Sequence, residues 1–170
     1  MADIKISGLP AASSVATTDE IELNQGGTSR KATAQQVADG GHPAWSTPSF
    51  SAGNFTANNS MTWTVAAGDV GTYAYTIQGK SMTVSFSLNT TTVGGTPSTE
   101  LRIAIPASKT ATKAMLNAIL ALDNGAIVND AYAIVGAGLT YIAIGKYTGG
   151  NWSAATDTTY VAGQITFEIN

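Results

Sequence analysis

The sequence predicts a mainly β protein, with a small hairpin-like N-terminal unit and a C-terminal antiparallel β-sandwich that is jelly-roll-like and carries one short helix. Apolar residues alternate with Ser or Thr along many short segments, which is the period of a half-buried strand. The 18 glycines, together with Asn and Pro, separate these segments as turn residues. Only 11% of the residues are charged, against about 25% in ordinary domains, so Ser and Thr must supply the polar surface.

The distribution of charge divides the chain into two parts. Residues 1–42 hold eight charged side chains, whereas the next 58 residues hold only Asp69, Lys80 and Glu100. The junction contains Gly40, Gly41 and Pro43, and this composition is typical of a hinge because Gly is conformationally permissive and Pro blocks helix continuation. We therefore expect an N-terminal unit over residues 1–42 and a displayed domain over residues 43–170.

The N-terminal unit is too short to bury a core by itself. Ile4 and Ile6 alternate as a short strand, and residues 21–23 form a second strand that two glycines terminate. Thr33 is placed to cap a brief helix over residues 34–39. Because modules below about 40 residues normally need a partner for stability, we interpret this unit as a docking element.

The C-terminal part is predicted to be β along most of its length. Residues 81–88 alternate without interruption, with Met, Val, Phe and Leu on one face and Ser or Thr on the other. The same period predicts further strands with these inward positions: Met61/Trp63/Val65, Tyr73/Tyr75/Ile77, Leu101/Ile103/Ile105, Tyr132/Ile134 and Ile165/Phe167/Ile169. Residues 108–124 instead space their apolar residues as a helix does, so one short helix is expected there.

Composition excludes several classes of function. The net charge of −3 and the scattered basic residues give no patch for a phosphate backbone, so we expect no nucleic-acid partner. No apolar run approaches the roughly 18–20 residues that cross a bilayer, and residues 1–6 do not resemble a signal peptide. The chain has no cysteine and a single histidine, His42. Thiolate and multi-histidine sites are therefore excluded, and we expect no cofactor, no metal and no enzymatic activity.

Aromatic side chains in the second half are the candidates for ligand contact. Trp152 lies in a turn-rich run, where we expect it at a rim, and it is named with Tyr147 as a candidate glycan contact. For Trp152, packing over a loop is favoured over ligand contact, because aromatic side chains readily cap a core. A polysaccharide depolymerase would need two carboxylates across a groove, which the spacing of the acids does not identify: Asp69, Glu100, Asp123, Asp130, Asp157 and Glu168.

The strands around residues 73–88 carry almost none of the charges that usually protect sheet edges. We therefore expect self-association to cover those edges, as a homotrimer or larger ring.

Three blocks near the N-terminus match a module found in tailed-bacteriophage structural proteins: residues 4–12, residues 18–23 and residues 25–33. The chain thus resembles head fibres and tail fibres of these phages, and residues 61–105 look like their jelly-roll-like tips. The resemblance implies attachment to the particle through the N-terminal unit, with these candidate docking residues: Ile4, Ile6, Leu9, Pro10, Ile21, Leu23, Arg30 and Lys31.

The implied location is therefore the virion, assembled in the host cytoplasm, with capsid, collar or tail proteins as partners. No coiled-coil heptads or fibrous repeats separate the two parts of the chain. This favours a capsid decoration, head fibre or short appendage. The alternative is a tail-fibre receptor-binding protein that recognises a host surface glycan.

Overall fold

The structure is a computed structural model and describes residues 14–40 and 43–170. The contacts within the chain divide it between Pro43 and Ala44, one residue from the division expected from charge density. Four of the candidate docking residues, Ile4, Ile6, Leu9 and Pro10, lie outside the described residues, as does His42.

The N-terminal unit contains a β-hairpin followed by a short helix. Strand β1 (Glu20–Gln25) pairs antiparallel with β2 (Thr28–Thr33), and helix α1 spans Ala34–Gly40. Gly26 and Gly27 form the two-residue turn with φ of 62° and 82°, the left-handed conformation that short hairpins require. The Gln36 amide donates to Thr33 Oγ1 (3.1 Å), and the Thr33 amide donates to Gln36 Oε1 (2.8 Å). This reciprocal capping box confirms the predicted helix start.

The C-terminal unit is a β-sandwich of two antiparallel sheets. The six-stranded sheet contains β4 (Met61–Thr64), β5 (Val70–Gln78), β6 (Ser81–Gly95), β9 (Leu120–Asp123), β10 (Ala126–Val128) and β13 (Ala155–Glu168). The five-stranded sheet contains β3 (Phe55–Ala57), β7 (Leu101–Ala104), β8 (Met115–Ala118), β11 (Ala131–Val135) and β12 (Tyr141–Lys146). Short 3-10 turns occupy Ala52–Asn54, Ala67–Asp69 and Pro106–Ser108.

Strand order explains which elements hold the sandwich together. The six-stranded sheet runs β10-β9-β13-β6-β4, with β5 also paired to β6, and the other sheet runs β3-β7-β12-β11-β8. The long strands β6 and β13 pair along most of their length, so the centre of the larger sheet joins distant parts of the chain. No helix among the described residues is long and apolar enough to cross a membrane.

The core confirms the alternation predicted for residues 81–88. Met82, Val84, Phe86 and Leu88 of β6 are all buried, and the residues between them are not. They pack in one cluster with buried residues of the facing sheet, including Leu101, Ile103, Ile142 and Ile144. Burying each such side chain contributes about 1.5–3 kcal/mol, so the interior of the sandwich is the main source of its stability.

The helix predicted over residues 108–124 is wrong. The segment forms β8 and β9 instead, which pair with β11 and β13 respectively. Between them Ile119 passes from one sheet to the other and packs on Gly163. Because the chain changes sheets there, Leu116 and Leu120 are exposed rather than aligned on one buried face. Strand pairing overrides the local helical spacing.

The strand phase predicted at residues 132–134 is also corrected. In β11 the buried residues are Ala131, Ala133 and Val135, so Tyr132 and Ile134 face away from the core. The inward phase predicted there is one residue out of register.

Of the strands around residues 73–88, β6 has no open edge, because it is paired to β5 and β4 on one side and to β13 on the other. Strand β5 pairs with β6 on one side, and among the described residues its other side carries only the bridge between Ser46 and Tyr75. Covering of that edge by self-association stays a prediction.

Candidate functional site

The N-terminal hairpin has one apolar face. Ile21 lies opposite Ala32, and Leu23 lies opposite Arg30. Directly opposed residues of an antiparallel pair share a face, so these four side chains form one surface, here called the hairpin face. Ile21 and Leu23 are 40% and 43% exposed. The hairpin face is therefore an apolar surface that residues 14–40 leave partly exposed.

The two basic candidates for docking lie on opposite sides of this hairpin. Arg30 belongs to the hairpin face through its pairing with Leu23. Lys31 pairs with Glu22 on the other face, where its Nζ lies 2.6 Å from Glu20 Oε1. Both partners of that ion pair are largely exposed, so it contributes little to stability. The arrangement separates a charged face from an apolar face that carries one cation.

A second cluster lies between the two sheets, at the ends of β9 and β12. Lys146 Nζ lies 2.6 Å from Asp123 Oδ2 and 2.7 Å from the carbonyl oxygen of Asn151. The Asp123 carboxylate also accepts bonds from the Ser153 amide and hydroxyl. The Lys146 and Asp123 side chains are only 12% and 11% exposed. This bonded cluster ties the two sheets together.

Trp152 lies within this cluster and is not at a rim. Its side chain is completely buried, Lys146 Nζ lies 5.1 Å from the centre of its ring, and its Nε1 donates to the Ile144 carbonyl (3.3 Å). A buried ring has no surface to offer a glycan, so the expectation of a rim position is corrected.

Tyr147, the other aromatic candidate, is 60% exposed. Its ring contacts Tyr132, with centroids 4.8 Å apart, on the outer side of the five-stranded sheet. The neighbouring Thr148 donates its amide to Asp130 Oδ2 (2.8 Å). This bond and that of the Thr148 side chain hold the pKa of Asp130 below its usual range. Tyr147 therefore has an accessible ring that packs on Tyr132.

Sequence reasoning missed a cleft of about 440 Å³ beside the β9–β10 hairpin. Its lining combines apolar and polar side chains: Leu120, Leu122 and Tyr160 with Asn89, Thr90, Asp157 and Thr158. These residues come from distant parts of the sequence, so no local pattern could identify the site. Within residues 14–40 and 43–170, no group of three or more His, Asp or Glu side chains could hold a metal ion.

Comparison with known proteins does not extend this description, because no protein-family model, no curated protein and no solved structure matches the chain.

Proposed function

We propose that this chain is a non-enzymatic structural protein of a bacteriophage virion surface, acting as a capsid decoration, head fibre or short appendage. The N-terminal unit attaches it to a capsid, collar or tail protein, and the β-sandwich is displayed. The observation that carries the proposal is the hairpin face, since a unit this small that exposes Ile21 and Leu23 needs a partner surface. The resemblance of residues 4–33 to phage attachment modules supports the same assignment.

The composition of the hairpin face defines the partner. Ile21 and Leu23 require an apolar recess, and Arg30 beside them requires a carboxylate or carbonyl oxygens at its edge. Covering the exposed part of the two apolar side chains contributes about 1 kcal/mol each. That amount alone corresponds to an affinity weaker than millimolar. A single hairpin face therefore needs additional contacts or several linked copies to hold a particle.

Self-association of the chain would supply these linked copies of the hairpin face. In a homotrimer three hairpin faces engage neighbouring sites, and binding by the first raises the effective concentration of the others. The support is the outer side of the five-stranded sheet, where Ile134 lies directly opposite Leu116 and neither faces the core. The predicted mass in solution is three times the 17.3 kDa chain mass, about 52 kDa. A single species of chain mass at micromolar concentration contradicts the trimer.

Attachment is tested with two variants of the full chain on purified particles. Ile21→Asp with Leu23→Asp places charges on the hairpin face, whereas Lys31→Ala changes only the opposite face. We expect the double variant to be lost from particles and Lys31→Ala to be retained at the wild-type copy number. Thermal unfolding of the sandwich should be the same in all three proteins. Retention of the double variant contradicts the proposed docking surface.

A further inference from the structure

The cleft beside the β9–β10 hairpin lies where the central strand pairing is distorted. The β6–β13 register shifts on both sides of Thr159, so each strand bulges at this point. Thr90 and Asp157, on the two sides of the distortion, have φ of 50° and 52°. For a β-branched residue such as Thr this left-handed conformation is a strong outlier. Backbone strain of this kind concentrates at functional sites.

The strained residues present polar groups that are already held in place. Asp157 Oδ1 accepts a bond from Thr92 Oγ1 (2.9 Å), and the Asp157 amide donates to the same hydroxyl oxygen (3.1 Å). The Thr90 hydroxyl donates to Asp69 Oδ1 (3.3 Å). On the hairpin side, the Gly125 amide donates to the Thr158 carbonyl (2.8 Å). The rim is therefore fixed before any ligand arrives, which reduces the entropic cost of binding.

One wall of the cleft is formed by apolar side chains of β9 and by Tyr160 of β13. Leu122 lies directly opposite Tyr160, and Leu120 lies opposite Ala162 on the same outer side of the six-stranded sheet. Leu120 is exposed, and Leu122 and Tyr160 are half-buried. A soluble sheet normally covers its outer side with polar residues. Here the apolar side chains and the Tyr160 ring instead line the cleft.

The Thr159 hydroxyl does not belong to this rim. It is fully buried and unpaired among the described residues, and in β13 Thr159 and Val161 are buried while Tyr160 between them faces outward. A ligand in the cleft therefore meets the rim groups and the Tyr160 ring, but not this hydroxyl.

We propose that this cleft binds a neutral saccharide unit. A sugar ring has an apolar C–H face that fits the wall formed by Tyr160 and the two leucines, and its hydroxyls match the carboxylate, amide and hydroxyl groups of the rim. No basic side chain lines the cleft, which disfavours phosphate and acidic sugars. A purely apolar ligand would remove water from the Asp157 carboxylate without replacing its hydrogen bonds. Asp157 is the one carboxylate in the lining, so this is a binding site rather than a two-carboxylate glycosidase.

Binding is tested by NMR titration of the full-length wild-type protein with a panel of neutral methyl glycosides. We expect at least one to shift backbone amides of residues 89–90, 120–125 and 157–160. Asp157→Asn keeps a residue that tolerates the left-handed conformation but removes the charge, and it should weaken binding at least about tenfold. Tyr160→Leu should also weaken it, because the aromatic face is lost. Tyr147→Leu, an exposed aromatic that does not line the cleft, is the matched control and should bind as wild type does.

Three results overturn the inference: no neutral glycoside shifts these amides, an acidic sugar binds where neutral ones do not, or Tyr147→Leu abolishes binding while Asp157→Asn does not. Thermal unfolding of each variant shows whether it is folded, and Asp157→Asn is informative even where Tyr160→Leu is destabilised. Sugar binding by the isolated protein is independent of particle attachment. The two proposals can therefore fail separately.

Discussion

Replacing Lys146 by Met tests whether the inter-sheet cluster stabilises the sandwich. Met retains most of the apolar stem but removes the ammonium group, which contacts Asp123 Oδ2, the Asn151 carbonyl and the Trp152 ring. The Asp123 carboxylate then stays in a nearly buried position with only the Ser153 bonds. Removing one partner of a buried ion pair costs about 3–5 kcal/mol.

The remaining exposure of the pair, 12% and 11%, lowers this expectation to about 2–4 kcal/mol. For a chain of this size each kcal/mol changes Tm by about 2–4 °C, so Lys146→Met should unfold roughly 5–15 °C below wild type. Intrinsic Trp fluorescence is a suitable probe because Trp63 and Trp152 are both buried. Urea unfolding provides the free energy independently of the temperature scale.

The matched control is Lys113→Met, which breaks the Lys113–Glu168 pair. That pair has the same charges and a similar distance, 2.7 Å, but its side chains are 75% and 38% exposed. We expect its loss to leave the unfolding free energy close to that of wild type, because water screens an exposed pair. If both variants lose the same small amount, or if Lys146→Met is as stable as wild type, the stabilising role of the cluster is refuted.

Two further predictions concern the core. Gly163→Ala should lower the free energy of unfolding by about 1–3 kcal/mol, because the added methyl group would lie 2.5 Å from Ile119 Cγ2. The control is Gly68→Ala, which has open space around it and should be near neutral. Equal unfolding free energies for the two variants would contradict this prediction. Burial raises the pKa of Tyr73 from its ordinary 10.0 to about 12. Between these pH values the folded state retains a proton that the unfolded state releases. The free energy of unfolding should therefore fall as the pH rises from about 10 towards 12. Tyr73→Phe should show a shallower fall over that range in pH-dependent urea unfolding, and an unchanged slope contradicts the assignment.

The parts of the fold that sequence predicted are those in which local and tertiary preferences agree. The helix that begins after Thr33 has its capping partner three residues away, so the signal is wholly local. Residues 81–88 alternate strictly, and their strand lies at the centre of a sheet with one buried face. Where one period fits the sequence and the tertiary structure alike, prediction is reliable.

The remaining features depend on partners that the local sequence does not reveal. The apolar spacing of residues 115–122 fits a helix, yet the segment is divided between two sheets at Ile119. Trp152 resembles a loop residue but fills the end of the core beneath Lys146. The cleft beside the β9–β10 hairpin depends on two bulges in strands that are remote in sequence. In the hairpin, only the pairing register shows that Arg30 lies on the hairpin face and Lys31 on the opposite face.

The central claim, that this chain is a virion surface protein, is tested most directly by a cryo-electron microscopy reconstruction of the phage particle proposed to carry it. The account predicts density for the β-sandwich at repeated positions on the particle surface, joined to it through the N-terminal unit with the hairpin face against a neighbouring virion protein. Absence of the chain from purified particles would contradict the account. So would attachment through the sandwich with Ile21 and Leu23 left in solvent.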